Sequence, residues 1–277
     1  MSSRNQILAA LGLCAAFALA CGPSQEKVKA NARAEEWRAI QADRAALDDL
    51  RAQLAAARDR TDVAAEATAG AAPPAEGATD GEAEPSPEAT EERELQARVG
   101  ESTDRFLERL VTFINEHAFF EGEEPAPEVA AAIRMKSSED QLLAREYIER
   151  GGDHAKAIDI LQSAKAVDPD NPELEAALAE AERLRYMDRE RFSRVSKGMS
   201  EAEVRRELGQ VKHQNIRKYE DGKVIAWFYP REGGAAAAVF FRPRNGQFKV
   251  DAVNFEAVKS AAERAAAGES GEESATD

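Results

Sequence analysis

Apolar and polar positions along the 277-residue chain change their pattern several times, and each change predicts a different element. Behind Arg4, residues 7–20 form an unbroken apolar run, I-L-A-A-L-G-L-C-A-A-F-A-L-A. Such a run is too short to cross a hydrocarbon core as a helix and fits the apolar region of a secretory signal. Residues 24–69 then contain neither Pro nor Gly, and Ile40, Leu47, Leu50, Leu54 and Ala57 recur at helical spacing. A long helix with a short seam is predicted, either a solvated spacer or a partner-binding coil. The stretch 70–92, rich in Pro, Gly, Ala and Glu, reads as a disordered acidic linker.

Helical periodicity returns at residues 93–120, where Leu95, Val99, Phe106, Leu110, Phe113 and Ile114 share one broad face. Gly122, Pro125 and Pro127 end that element, and the cluster around Val129 and Ile133 predicts a short helix. Ser138 and Gln141 have capping-box spacing and predict a new helix to about Arg150, stopped by Gly151 and Gly152. Asp153 can cap a helix carrying Ala157, Leu161 and Ala164. Asn171 and Pro172 open another through Leu174, Leu178 and Ala181. Further on, Ser200 and Glu203 form a second S-x-x-E pair before Val204 and Leu208, with Gly209 as the exit, which predicts a helix over 201–208.

After Gly209 the period falls from 3.6 to 2. The runs V-K-H-Q-N-I-R-K-Y, V-I-A-W-F-Y, A-A-A-A-V-F-F and Q-F-K-V-D-A-V-N-F are separated by E-D-G-K, P-R-E-G-G and R-P-R-N-G. These are strands joined by short turns. The expected class is α+β: an N-terminal helix and linker, an all-α segment, and a small domain of helices on an antiparallel sheet of three to four strands. The expected boundaries are 1–20, 21–69, 70–92, 93–187 and 188–258, with a frayed tail at 259–277.

Composition sharpens this division. The chain is 43% hydrophobic, yet 56 residues are alanine and half of those fall in the first hundred positions, so the figure overstates the core. No aromatic lies between Trp37 and Phe106, whereas nine of seventeen lie between Phe192 and Phe255, which puts the densest core in the last third. The net charge of −15 excludes general nucleic-acid binding. Over 188–250, however, fourteen Lys/Arg stand against eight Asp/Glu, so the C-terminal part is locally basic.

No catalytic chemistry is expected. His117, His154 and His213 lie in three separate segments without metal-pair spacing, and no nucleophile elbow, phosphate loop or dinucleotide fingerprint occurs. Neither a metal nor a cofactor is predicted.

Three resemblances suggest a role. F-A-L-A-C-G at 17–22 resembles the bacterial lipobox, which would make Cys21 the lipidated N-terminus; an ordinary signal peptide cut after Ala20 is the alternative. Gly22 after the cysteine, rather than aspartate, implies the outer membrane. Gly152, Ala157, Leu161, Ala164 and Pro169 stand where one tetratricopeptide repeat places its small residues and closing proline. Such a segment could be a structural pack of helices or a peptide groove.

Finally, G-M-S-E-A-E-V-R-R-E-L-G at 198–209, followed by W-F-Y and V-F-F, resembles the SmpA/OmlA domain of the BamE family. That resemblance implies an outer-membrane lipoprotein attached to the β-barrel assembly machine, contacting a partner lipoprotein and anionic phospholipid. Gln210 and Val211 stand where the family commonly has proline, and the domain follows far more preceding sequence than is usual. In the motif, Gly198, Met199, Ser200, Glu203, Val204, Leu208 and Gly209 read as mainly structural. Candidate partner- or lipid-binding residues are Arg217, Lys218, Tyr219, Trp227, Tyr229, Arg242 and Arg244, although Trp227 also reads as core. The expected function is a non-enzymatic envelope-protein binder; the alternatives are a periplasmic spacer or scaffold and an inhibitor-like module.

Overall fold

A computed structural model describes residues 25–69, 86–119 and 123–266. The signal run, Cys21, Gly122, most of the expected linker and the last eleven residues lie outside the described residues. The protein is α+β, with helices first and a four-stranded antiparallel sheet at the C-terminal end. It comprises two compact units, Met1–Ser102 and Thr103–Asp277.

In the first unit, α1 (Gln25–Ala69) is one uninterrupted helix, as its lack of Pro and Gly requires. Trp37, Ile40, Leu47, Leu54 and Ala57 are buried along it, so the predicted seam is real; Leu50 is only half-buried. Leu54 and Ala57 pack with Leu95 and Val99 of α2 (Pro87–Glu116). The ion pairs Arg58–Glu92 and Arg60–Glu91 flank this contact, and their descending register shows that the two helices run antiparallel here.

The start of α2 corrects the expected linker boundary, since residues 87–92 are helical. Ser86 accepts the Ala89 amide at 3.2 Å and Pro87 takes the first helical position, where its missing N–H costs nothing. Glu88, Glu91 and Glu92, read as linker charge, sit in the opening turns, where the helix dipole favours anions. The helix also ends at Glu116, earlier than expected.

The second unit begins within α2, whose final turns bury Phe106, Leu110 and Phe113. α3 (Pro127–Glu149) is continuous, which corrects the predicted break at Ser138. The Ser138 hydroxyl donates to the Arg134 carbonyl at 3.1 Å inside the helix rather than capping a new one. α3 packs on α4 (His154–Val167), and α4 on α5 (Pro172–Arg185), around Ala144, Ala157, Ile158, Leu161, Ala164, Leu174 and Ala181. The Asp153 and Asn171 caps form as expected. Asp168, in the turn between α4 and α5, is buried and accepts Ser137 Oγ at 2.9 Å and Asn171 Nδ2 at 2.8 Å, with Arg134 Nε at 3.1 Å. That carboxylate ties the turn to α3.

The remaining chain contains α6 (Arg189–Phe192), α7 (Glu201–Leu208) and strands β1 (Ile216–Tyr219), β2 (Val224–Pro230), β3 (Ala236–Arg244) and β4 (Gln247–Val258). The sheet is a simple meander, β1-β2-β3-β4. β1 is shorter than predicted, because His213–Asn215 form a 3-10 turn before the strand begins. The start of the tail, expected to fray, is helical. α8 (Ala261–Ala266) opens with a second capping box, in which the Ser260 amide donates to Glu263 at 2.7 Å and the Glu263 amide to Ser260 Oγ at 3.0 Å. Arg231 holds Glu263 at 2.8 Å.

The expected boundary near 187 does not separate two compact units. Gly152 has φ +62°, and a Cβ there would lie 2.4 Å from the Gln210 carbonyl oxygen and 2.8 Å from the Lys212 nitrogen. The Met187 amide donates to the Pro230 carbonyl at 2.7 Å, and Lys212 pairs with Asp153 at 2.7 Å. The start of α4 therefore meets the loop after α7 backbone against backbone, and the chain after α5 is bonded to the end of β2.

Candidate partner-binding surface

Each half of the 198–209 motif has a structural task. Ser200 and Glu203 complete the capping box of α7: the Glu203 amide donates to Ser200 Oγ at 3.3 Å, and the Ser200 amide to Glu203 Oε2 at 2.7 Å. Those Ser200 bonds lower the pKa of Glu203. Gly198 donates to the Val250 carbonyl and Met199 accepts the Val250 amide, both at 2.8 Å, which fastens the motif to the outer edge of β4. Val204 and Leu208 enter the core, and Gly209 leaves α7 at φ +86°.

Alternation along the strands decides which side chains remain for binding. Trp227, Tyr229, Val239, Phe241 and Val250 join Phe192, Val204 and Leu208 in one core, so this face is covered by α6 and α7. Trp227 is 1% and Tyr229 4% exposed. Neither can touch a partner in the folded protein, which removes two of the seven candidate contacts. Trp227 lies 4.6 Å from Phe241, centroid to centroid, and Arg205 covers its ring at 4.8 Å. Tyr229 donates its hydroxyl to the Gly209 carbonyl at 3.3 Å, and burial raises its pKa.

The opposite face is different. The register pairs Arg217 with Ala226 and Ala226 with Phe240, and it pairs Tyr219 with Val224 and Phe228 with Ala238. Arg217 and Tyr219 of β1, Phe228 of β2, and Phe240, Arg242 and Arg244 of β3 thus share one side of the sheet. Phe228 and Phe240 are half-buried over alanines 226 and 238, while Tyr219 is 47% exposed. Sequence reading missed both phenylalanines; their period-2 placement beside Trp227 and Val239 was the available signal.

The basic candidates are not equivalent. Arg242 is bound bidentately by Glu220, with both bonds at 3.0 Å, and that contact lowers the pKa of Glu220 and raises that of Arg242. Asp251 also reaches Arg242 at 3.4 Å, Arg244 at 3.0 Å and Lys197 at 3.2 Å; Lys197 leads in lowering its pKa. Among the described residues Arg217 donates only to the Gln214 carbonyl, at 2.7 Å. Among the described residues Lys218 and Lys223 form no ion pair, so the available positive charge lies at the β1–β2 end.

A separate concavity of about 440 Å³ lies among the end of α2, α3 and α4. Val111, Leu143 and Val167 are exposed at its mouth, at 38%, 43% and 61%. The described residues contain no cluster of His, Cys, Asp and Glu that could hold a metal ion. No helix among them is long and apolar enough to cross a membrane. No protein-family model, curated protein or solved structure matches the chain.

Proposed function

We propose that the protein is a non-enzymatic outer-membrane lipoprotein, anchored through Cys21, whose C-terminal α+β domain binds another envelope protein. The process it serves in this reading is β-barrel outer-membrane protein assembly. The supporting observation is the division of the sheet. One face is consumed by the core under α6 and α7, while the other presents Arg217 and Tyr219 beside half-buried Phe228 and Phe240. Aromatic and arginine side chains on one face match the composition of protein-binding hot spots. Lipid attachment would confine this face to the membrane surface and raise its effective concentration there. Lys218 and Lys223, at the turn end of the β1–β2 hairpin, also suit an anionic phospholipid headgroup. The groove among α2, α3 and α4 supplies a second protein-binding surface.

Recovery from mild detergent, with mass spectrometry, tests this reading. Barrel-assembly subunits should accompany the anchored protein and be lost from Phe240→Glu and Cys21→Ser variants. Retention of those subunits by Phe240→Glu would overturn the assigned face. The spacer reading is favoured by one feature: a continuous 45-residue α1 spans about 68 Å at 1.5 Å per residue. Recovery of peptidoglycan-associated proteins alone would support it and remove the assembly role.

A further inference from the structure

A second cleft, of about 220 Å³, opens where the start of α4 and the end of α5 meet residues 210–212 and the end of β2. Its charges are unbalanced. Lys212 and Asp153 neutralise one another at 2.7 Å, and although burial works against the Asp153 charge, Lys212 and the Lys156 amide outweigh it and lower its pKa. Arg185 and Arg191 remain. Arg185 stacks on Tyr186, 5.0 Å from the ring centroid. Arg191 is half-buried and reaches only two neutral acceptors, the Leu184 carbonyl at 3.4 Å and the Leu208 carbonyl at 3.2 Å. Asp188, the neighbouring carboxylate, is occupied by the Arg191 backbone amide at 2.8 Å. Among the described residues neither arginine has an ion pair.

This is an incomplete arrangement in physical terms. A partly desolvated guanidinium with long bonds to carbonyls has no carboxylate in direct contact among the described residues; Asp188 and Glu180 act on it only from beyond ion-pair distance, and burial outweighs them in lowering its pKa. Beside it, His154 Nδ1 is buried without a hydrogen-bond partner among the described residues. Burial first, and the Arg191 charge second, hold the His154 pKa down against the Ala181 carbonyl and Asp153. Two under-satisfied polar groups therefore share one cleft, which is otherwise walled by Leu184, Met187, Leu208, Val211 and Pro230.

We propose that this cleft binds a small organic anion, a carboxylate carried on an apolar body, with Arg191 as its anchor and Arg185 at its mouth. A carboxylate meets the guanidinium fork with two parallel bonds, which a carbonyl cannot do. The apolar walls select an organic body over a bare inorganic ion. The volume lies below the roughly 300–1,000 Å³ of drug-sized sites, so the occupant has few atoms. Charge on the ligand also cancels the Arg191 field at His154, so binding and imidazole protonation reinforce each other.

The test is an NMR titration of the isotope-labelled full chain in detergent with sodium benzoate, with benzamide and inorganic phosphate in parallel arms. Benzoate should give saturable shifts at Arg191 and His154 and move the His154 titration midpoint upward. Benzamide should leave that midpoint in place, and phosphate should bind more weakly. Arg191→Lys should weaken benzoate at least about tenfold, because it keeps the charge and loses the fork. Arg185→Ala, at an exposed position, should weaken it by about threefold with the fold intact. Equal shifts with benzamide, equal saturation by phosphate, or an unmoved His154 midpoint with benzoate bound would each overturn the assignment.

Discussion

Replacing Gly152 by alanine probes the junction on which the second unit depends. The residue has φ +62°, a conformation that costs an L-residue roughly 1–2 kcal/mol. An added Cβ would also meet backbone, not a movable side chain: the Gln210 oxygen at 2.4 Å, the Lys212 nitrogen at 2.8 Å and the Val211 carbonyl carbon at 2.9 Å. Relieving that overlap requires moving the start of α4 away from the turn after α7, an overpacking cost of about 1–3 kcal/mol. The sum is about 2–5 kcal/mol. For a unit of this size each kcal/mol shifts the Tm by roughly 2–4 °C, so a loss on the order of 10 °C is expected. Gly234 is the matched control: its φ is +77°, but a Cβ there meets nothing within 4 Å. Gly234→Ala should cost only the conformational part. Urea melts followed by tryptophan fluorescence and by far-UV circular dichroism measure both variants. Equal costs for the two would show that the start of α4 and the loop after α7 do not approach closely at Gly152.

Trp227→Ala should destabilise the fold by about 3–5 kcal/mol, since the indole is fully buried, whereas Tyr219→Ala should stay within about 0.5 kcal/mol; urea melts distinguish them. Ser200→Ala should cost about 1 kcal/mol through the lost α7 cap, measured in the same melts. Asp168→Ala should cost about 3 kcal/mol by leaving Ser137, Asn171 and Arg134 without their shared acceptor, with faster amide exchange at the start of α5 as the local readout. The lowered pKa of His154 carries a definite sign. Between the folded and unfolded pKa values the unfolded chain binds more protons, so stability falls as pH drops below the ordinary imidazole value of about 6.5. His154→Gln should remove that part of the slope in melts across the interval.

The sequence made the elements with strong local chemistry legible. Ser200–Glu203, Asn171–Pro172 and Asp153 each announced a helix start because a side chain capped a backbone amide within three residues. Strand order followed from short turns, including the E-D-G-K hairpin, where Glu220 and Asp221 adopt φ near +50°. Local signals misled where a longer-range force decided. Ser138 and Gln141 have cap spacing, but the packing of Ala144 on α4 keeps α3 continuous through them. Glu88 to Glu92 carry linker composition, yet Ser86 and Pro87 start a helix whose ion pairs with α1 absorb that charge. Charge content likewise marked the C-terminal part as basic without showing that Glu220 and Asp251 would bind Arg242 and Arg244. Period 2 placed Trp227 and Phe228 on opposite faces; only α6 and α7 reveal which face is covered.

Site-specific photo-crosslinking in the native membrane addresses the assigned binding face most directly. A benzophenone amino acid at Phe240 or Tyr219, on the uncovered side of the sheet, should capture a barrel-assembly subunit. The same probe at exposed Leu142 of α3 should not capture it. Capture of that subunit from Leu142 but from neither sheet position would remove the sheet face from the interaction and transfer it to the helical layer.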